Sequence, residues 1–297
     1  MDNYFHLYLK NYLLSIIMSR IYLIIPYYGE FPNYFQLYLD SLGMNENILT
    51  IILITDINLS KYKLPKNIIV EYITLNNIRE YASIFFMSQY NIKIKLDEII
   101  LKPYKLCDYR PLFFILFENI LKKLNIGDTD YVGWGDCDVI YGKLSNFIDL
   151  SKNYDIIGYH GHFTAIKNIP LFTQLYTKIN NLPNLLIDNI NYIIDESHWR
   201  KLLFDLMSTN NYNVFYMWQK FCDVLPPFKD SFIMVGENNN IKYLYFNKVT
   251  EKLIVILENN NELEVTYCHL QKRKMSINFI NYHNFFYIFK DQFSDNI

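Results

Sequence analysis

Glycine and proline are scarce in this chain, 9 of each in 297 residues, and neither gathers into a stretch that would read as a linker or a low-complexity tract. Cysteine is scarcer still. Cys107, Cys137, Cys222 and Cys268 are scattered without a CxxC pair, which excludes a zinc ribbon or a thioredoxin motif and makes a disulfide framework a poor expectation. An excess of charge of one sign is missing too: 28 Lys and Arg stand against 30 Asp and Glu, a net −2, so no basic field advertises nucleic acid as a partner. The densest basic cluster, Lys272-Arg273-Lys274, is too short for a nucleic-acid tract. No apolar run reaches the roughly 20 residues of a membrane-spanning helix. Tyr12–Met18 and Ile21–Tyr28 are separated by Arg20 and closed by Pro26-Tyr27-Tyr28-Gly29. A small-residue cleavage site is lacking as well, so a signal peptide fits poorly. The expectation is a soluble, intracellular protein, with the N-terminal segment left open to weak contact with a membrane surface. Met18 is an alternative start, because Met18-Ser19-Arg20 leads directly into the first strand.

What is present in excess is aromatic, 27 Tyr and 22 Phe, beside much Ile, Asn and Lys. This reads as the codon bias of an AT-rich genome before it reads as function. Hydrophobic residues at 51% and charged residues at 20% are the balance of a globular protein, and the length suffices for a sizeable core. Ile21–Ile25, Leu49–Ile54 and Ile68–Ile73 are short apolar runs rich in β-branched residues, the mark of strands buried on both faces. With an amphipathic helix over Phe35–Leu42 between the first two, they predict a mainly parallel sheet. The spacing predicts a long helix over Leu106–Leu124, with Asp108 as N-cap, Pro111 in its first turn and Gly127 beyond its end. Tyr131–Trp134 is a strand leading into Gly135-Asp136-Cys137-Asp138. Beyond it lie a strand at Asp155–His160, helices at Leu171–Ile179 and Trp199–Met207, and short strands at Ile241–Phe246, Leu253–Leu257 and Leu263–Tyr267 that suit an antiparallel meander. The fold class expected is α/β, one domain, with a nucleotide-binding parallel half and a mixed α+β second half.

In open α/β sheets ligands bind beyond the carboxyl ends of the strands. Tyr27–Glu30, Asp56 and Asp136–Asp138 all fall at such ends. In an extended segment Asp136 and Asp138 project to the same side, so both carboxylates can share a hard cation such as Mg²⁺ or Mn²⁺. Gly133 and Gly135 would let backbone approach a ligand closely.

Pro26-Tyr27-Tyr28-Gly29, the run Lys105 to Pro111, the run Gly133 to Gly142 and His269-Leu270-Gln271-Lys272 resemble, in this order, the signature blocks of a GT-A-type glycosyltransferase family. The resemblance extends from about Ile21 to Met275. It implies a metal-dependent transfer of a sugar from a nucleotide-sugar donor, by analogy a uridine diphosphate sugar, to a glycan or glycoconjugate acceptor. It also implies that Asp136, Asp138 and His269 hold Mn²⁺ or Mg²⁺ on the diphosphate. The division expected is an extension over 1–20, a GT-A-like domain over 21–285 with donor half 21–142 and acceptor half 143–285, and a tail over 286–297.

Other candidates keep alternatives. Lys272 is within reach of the same phosphates, or is part of a solvated basic tail. Lys105, Asp108 and Arg110 contact the nucleotide or the donor sugar from a helix N-terminus, or Asp108 is simply an N-cap and Arg110 its neighbour. Tyr27 or Tyr28 suits base stacking and Asp56 base or ribose hydrogen bonds, or the rings belong to the core. The acidic pair Asp195-Glu196 is the candidate base for an inverting transfer, or an N-cap with a first-turn acid. His160 and His162, at strand spacing, raise a rival, a dinuclear hydrolase using Asp136, Asp138, His160 and His162, or His160–Thr164 lines the acceptor or donor-sugar pocket. An inactive nucleotide-sugar-binding protein is the third reading.

Overall fold

The computed structural model describes residues 19–217, 220–224, 232–234, 241–279 and 284–296. The N-terminal segment through Met18, expected to be an extension with membrane contact, lies outside the described residues. Among those described, no helix is long and apolar enough to cross a membrane.

The chain runs through β1 (Ile21–Pro26), β2 (Leu49–Thr55), β3 (Ile68–Tyr72), β4 (Tyr131–Gly135), β5 (Val139–Tyr141), β6 (Ile156–His160), β7 (Phe163–Lys167) and β8 (Val214–Phe215). It then forms β9 (Phe221–Val224), β10 (Phe232–Met234), β11 (Ile241–Asn247), β12 (Lys252–Leu257), β13 (Glu262–Glu264) and β14 (Tyr267–His269). The last strands are β15 (Ser276–Asn278), β16 (Phe285–Ile288) and β17 (Gln292–Ser294). The main sheet has seven strands in the order β3-β2-β1-β4-β7-β6-β8. Its first four pair in parallel, as the apolar runs predict, and β7 closes onto β4 antiparallel. All seven residues of β2 are buried. Ile52 and Ile54 pack into one core while Ile51 and Leu53 pack into another on the opposite face, the alternation expected of a strand covered on both sides. The Phe35–Gly43 helix covers the second face through Phe35, Tyr38, Leu39 and Leu42.

Two smaller sheets complete the mixed second half. One, in the order β10-β9-β14-β5, joins the strand after Asp138 to the strand ending at His269; the other runs β13-β12-β11-β16-β17-β15. The meander β11-β12-β13 forms as expected, but Tyr267 leaves it for the four-stranded sheet. The stretch 286–297, expected as a tail, instead contributes to β16 and β17, and Phe286, Ile288 and Phe293 are buried in the third core.

Other expectations are corrected. The helix predicted over Leu106–Leu124 is broken into pieces at Leu106–Tyr109, Arg110–Leu112, Phe113–Leu116 and Glu118–Lys123. Helical structure already begins before Asp108, so Pro111 falls in an interior position, where it has no N–H for the helical ladder. Asp108 is therefore no N-cap. Sequence reasoning left Leu75–Tyr90 unassigned, although it is a helix with a capping box between Thr74 and Asn77 and a left-handed Asn91 at its end. Its signal was available in Ile78, Ala82, Phe85 and Phe86, which line one face. The close approach at Gly133 is to backbone and not to a ligand: a Cβ there would lie 1.7 Å from the Thr164 carbonyl oxygen of β7.

Candidate metal centre

Asp136-Cys137-Asp138 lies between the end of β4 and the start of β5. The chain bends over Cys137 and Asp138, so that Cys137 is buried in the second core while both carboxylates reach one cluster with His269. The antiparallel pairing of β5 with β14 sets His269 opposite Val139, and the Leu270 N–H donates to the Asp138 carbonyl at 2.8 Å. Register thus delivers a histidine from 131 residues further on to the DxD carboxylates. Ligand atoms of Asp136, Asp138 and His269 all lie within 4.8 Å of one another. His269 Nε2 stands 3.7 Å from Asp138 Oδ1 and 4.0 Å from Asp136 Oδ2.

The carboxylates of the site are incompletely satisfied. Asp138 Oδ1 is buried and accepts no hydrogen bond, a costly state for a carboxylate oxygen unless a cation takes it. Burial pushes the Asp138 carboxyl up against the opposing pull of His269. Burial alone would lower the His269 pKa, but Asp138, the contact with Asp223 and then Asp136 outweigh it and raise it to about 9. Asp138 Oδ2 accepts the Lys272 N–H. That contact depends on a turn in which Gln271 and Lys272 both have left-handed φ, 51° and 55°, with Arg273 N–H donating to Leu270 O at 3.1 Å. Two successive non-glycine residues in this region store strain, on the order of 1–3 kcal/mol each.

His269 Nδ1 is 3.1 Å from Asp223 Oδ1, which also accepts from Gln271 Nε2 at 3.0 Å. A carboxylate on the far nitrogen is the usual support of a ligating histidine. Asp223 was missed in the sequence reading. Nothing local marks it, since its role arises from β9 pairing in parallel with β14.

Arg110 is buried and forms ion pairs with Asp136 and, at 2.7 Å, with Asp195. Burial works against its charge, yet Asp136 and Asp195 hold its pKa well above the ordinary value. Asp195 is pushed up by burial, with Arg110 pulling against it. The acidic pair expected to supply a base is therefore divided. Asp195 is committed to Arg110, while Glu196 lies on a cleft wall and accepts the Gly161 N–H on Oε1 at 3.0 Å. A Cβ on Gly161 would fall 2.3 Å from that oxygen and would displace the Glu196 carboxylate from this hydrogen bond.

Lys105 and Asp108, expected at the nucleotide, form a buried ion pair at 2.8 Å. The ammonium also donates to the carbonyls of Leu185 and Ile190, so its three donors are all used. Asp108 accepts the N–H groups of Tyr192 at 3.0 Å and Ile194 at 3.1 Å. Between them Ile193 adopts a left-handed φ of 51°, rare for a β-branched residue. The pair thus clamps the loop that leads into Asp195-Glu196. It leaves no hydrogen-bonding capacity of Lys105 for a diphosphate.

Two clefts meet at the DxD carboxylates, of about 220 and 270 Å³. Tyr104, Cys107, Arg110, Asp136 and Lys272 line both. Tyr27 and Tyr28 line only the first; Asp138, Gly161, His162, Glu196 and His269 line only the second. The Lys272 ammonium lies over the Tyr104 ring, 5.2 Å from its centroid, on the boundary. Tyr27 stacks on Phe31 at 4.5 Å and donates its hydroxyl to Glu30 O; Tyr28 is 7% exposed and donates to Ile73 O. Asp56 is exposed at the end of β2, close enough to raise the Tyr28 pKa after burial has done so, but outside either cleft lining.

His162 stacks on His269 with ring centroids 4.2 Å apart, and His160 stacks on His162 at 5.4 Å. Burial lowers the His160 pKa to about 4 and drives that of His162 well below the ordinary value. Of the two, only His162 falls in a potential ligand group among the described residues, with Asp223 and His269 and without Asp136 or Asp138.

The chain belongs to a family of unknown function (DUF6625), which matches residues 23–297. No curated protein and no solved structure matches it.

Proposed function

We propose that the chain is a metal-dependent glycosyltransferase of GT-A type, moving a sugar from a nucleotide-diphosphate donor to a hydroxyl of a glycan or another acceptor. The observation that carries this reading is the meeting of Asp136, Asp138 and His269 where two clefts join, with Asp138 Oδ1 buried and accepting no hydrogen bond. The three side chains would hold Mn²⁺ or Mg²⁺; one imidazole beside two carboxylates suits the former better. Such a cation supplies Lewis-acid stabilisation of the charge that builds on a departing diphosphate.

The remaining residues divide the work. Tyr27 and Tyr28 offer the first cleft an aromatic wall for a nucleotide, with uridine diphosphate the first to test. Lys272, on the boundary, is placed to pair with phosphate oxygens. Arg110 orients Asp136. Glu196, in the second cleft, is the carboxylate open to an acceptor. In an inverting course it takes the acceptor's hydroxyl proton as that oxygen bonds to the anomeric carbon, and the electron pair of the breaking bond leaves on the diphosphate. Asp195, locked to Arg110, is not available for that role. The dinuclear hydrolase finds less support, since His160 joins neither ligand group among the described residues.

Calorimetric titration of UDP and GDP into the protein with Mn²⁺, and again with EDTA, tests the proposal. Binding of one nucleotide that disappears with EDTA is expected. Failure of both to bind, together with hydrolysis of a phosphodiester, overturns it.

A further inference from the structure

The six-stranded sheet has two faces, and only one of them meets a core. Leu244 and Phe246 of β11, Leu253 and Val255 of β12, and Phe286 and Ile288 of β16 all belong to the third core. The residues that alternate with them lie on the opposite face. There Tyr243 and Tyr245 on β11, Phe285 and Tyr287 on β16, and Phe289 just beyond it are half-buried. None of these five rings packs against any of the three cores.

Register sets the rings side by side. Tyr245 is opposite Tyr287 on one flank and Ile254 on the other, and Tyr243 is opposite Ile256. The rings brace one another edge to face, with Tyr243 on Tyr287 at 5.4 Å and 85° and Phe285 on Tyr287 at 4.8 Å and 84°. Ile254 and Ile256 carry the apolar surface on toward β13, where Glu264 and Glu262 stand opposite them. The Tyr245 hydroxyl donates to Glu262 Oε2 at 3.4 Å. We propose that this face is a second binding site, for an uncharged oligosaccharide. The third core, to which Ile140, Cys268 and Leu270 beside the DxD carboxylates contribute, separates it from the metal centre.

Three properties of the face select that ligand. A sugar ring has C–H faces that pack on aromatic carbons and hydroxyls that need partners at the rim; tyrosine supplies an apolar body and a polar tip together. The β13 edge carries carboxylates, and Lys252 beside it is paired with Glu264 at 3.4 Å, so a phosphate-bearing ligand is disfavoured there. Size separates a sugar chain from a second copy of the protein. Three strands and three residues along each cover roughly 10 by 14 Å, whereas a stable interface takes about 800 Å² from each partner. Because the rings already fix one another, a ligand that stacks on them orders little.

The test screens the full chain, in EDTA and without nucleotide, on an array of neutral oligosaccharides. Binding of at least one is expected. Tyr245→Ala/Tyr287→Ala should weaken it at least about tenfold, with circular dichroism verifying the fold, while Tyr104→Ala in the catalytic clefts should leave it unchanged. If the double variant does not fold, hydroxyl-radical footprinting of the wild-type chain decides: bound sugar should protect residues 243–247 and 285–289. Four results overturn the proposal: no sugar bound, binding undiminished in the folded double variant, binding lost in Tyr104→Ala, or protection confined to other segments. A dimer in sedimentation that the double substitution dissociates also overturns it, and gives the face to a second copy. Metal and nucleotide are absent throughout, so the result is independent of whether UDP or GDP binds at the DxD site.

Discussion

Two buried charge clusters lie close together in this protein and differ in one respect. Around Lys105 and Asp108 every strong donor is matched: the ammonium has three acceptors, and the carboxylate takes two backbone N–H groups besides. Around Asp138 and His269 the matching is incomplete, because Asp138 Oδ1 accepts no hydrogen bond and faces the His269 imidazole only as an ion pair at 3.7 Å. A closed cluster specifies a conformation, here the loop that carries Asp195 and Glu196. An open cluster of the same burial leaves a carboxylate oxygen incompletely satisfied, which is what the proposed cation would relieve.

The comparison breaks most visibly at Asp108. Asp108→Ala leaves a buried ammonium without its counter-charge and should destabilise the fold by about 3–5 kcal/mol in denaturant titration. A loss below about 1 kcal/mol would show that the closed cluster is not structural. Asp138→Ala should do the opposite, abolishing metal-dependent nucleotide binding and turnover while the melting temperature holds or rises. Donor hydrolysis at the wild-type rate in that variant would take the metal out of the mechanism. A smaller effect is expected one shell out: Asp223→Asn should weaken Mn²⁺ binding by about 10–100-fold, and unaltered affinity would remove Asp223 as the support of His269.

The smallest effect is a pH dependence of the metal-free protein. His269 titrates near 9 when folded against an ordinary 6.5. Its contribution to stability is therefore fully present below about 6.5 and is lost as pH rises through 9. Stability in EDTA should fall over that window, and His269→Gln should flatten the slope. A slope that persists in the variant would assign it to other groups.

The amino-acid pattern alone was enough for the parallel half of the main sheet, because Ile21–Ile25, Leu49–Ile54 and Ile68–Ile73 are apolar at every position, a local property that only burial on both faces rewards. Asp136 and Asp138 stood out by their place at a strand end, whereas His269 was singled out only through the resemblance of His269-Leu270-Gln271-Lys272 to a GT-A-type family. Their meeting is a different matter. It depends on β14 pairing with β5 in one register, a contact between segments that no local pattern encodes. Tertiary structure likewise gave Lys105 and Asp108 to the scaffold and not the ligand, parted Glu196 from Asp195, and brought Asp223 to His269. In each case the partner comes from a distant part of the chain, and such partners are visible only once it is folded.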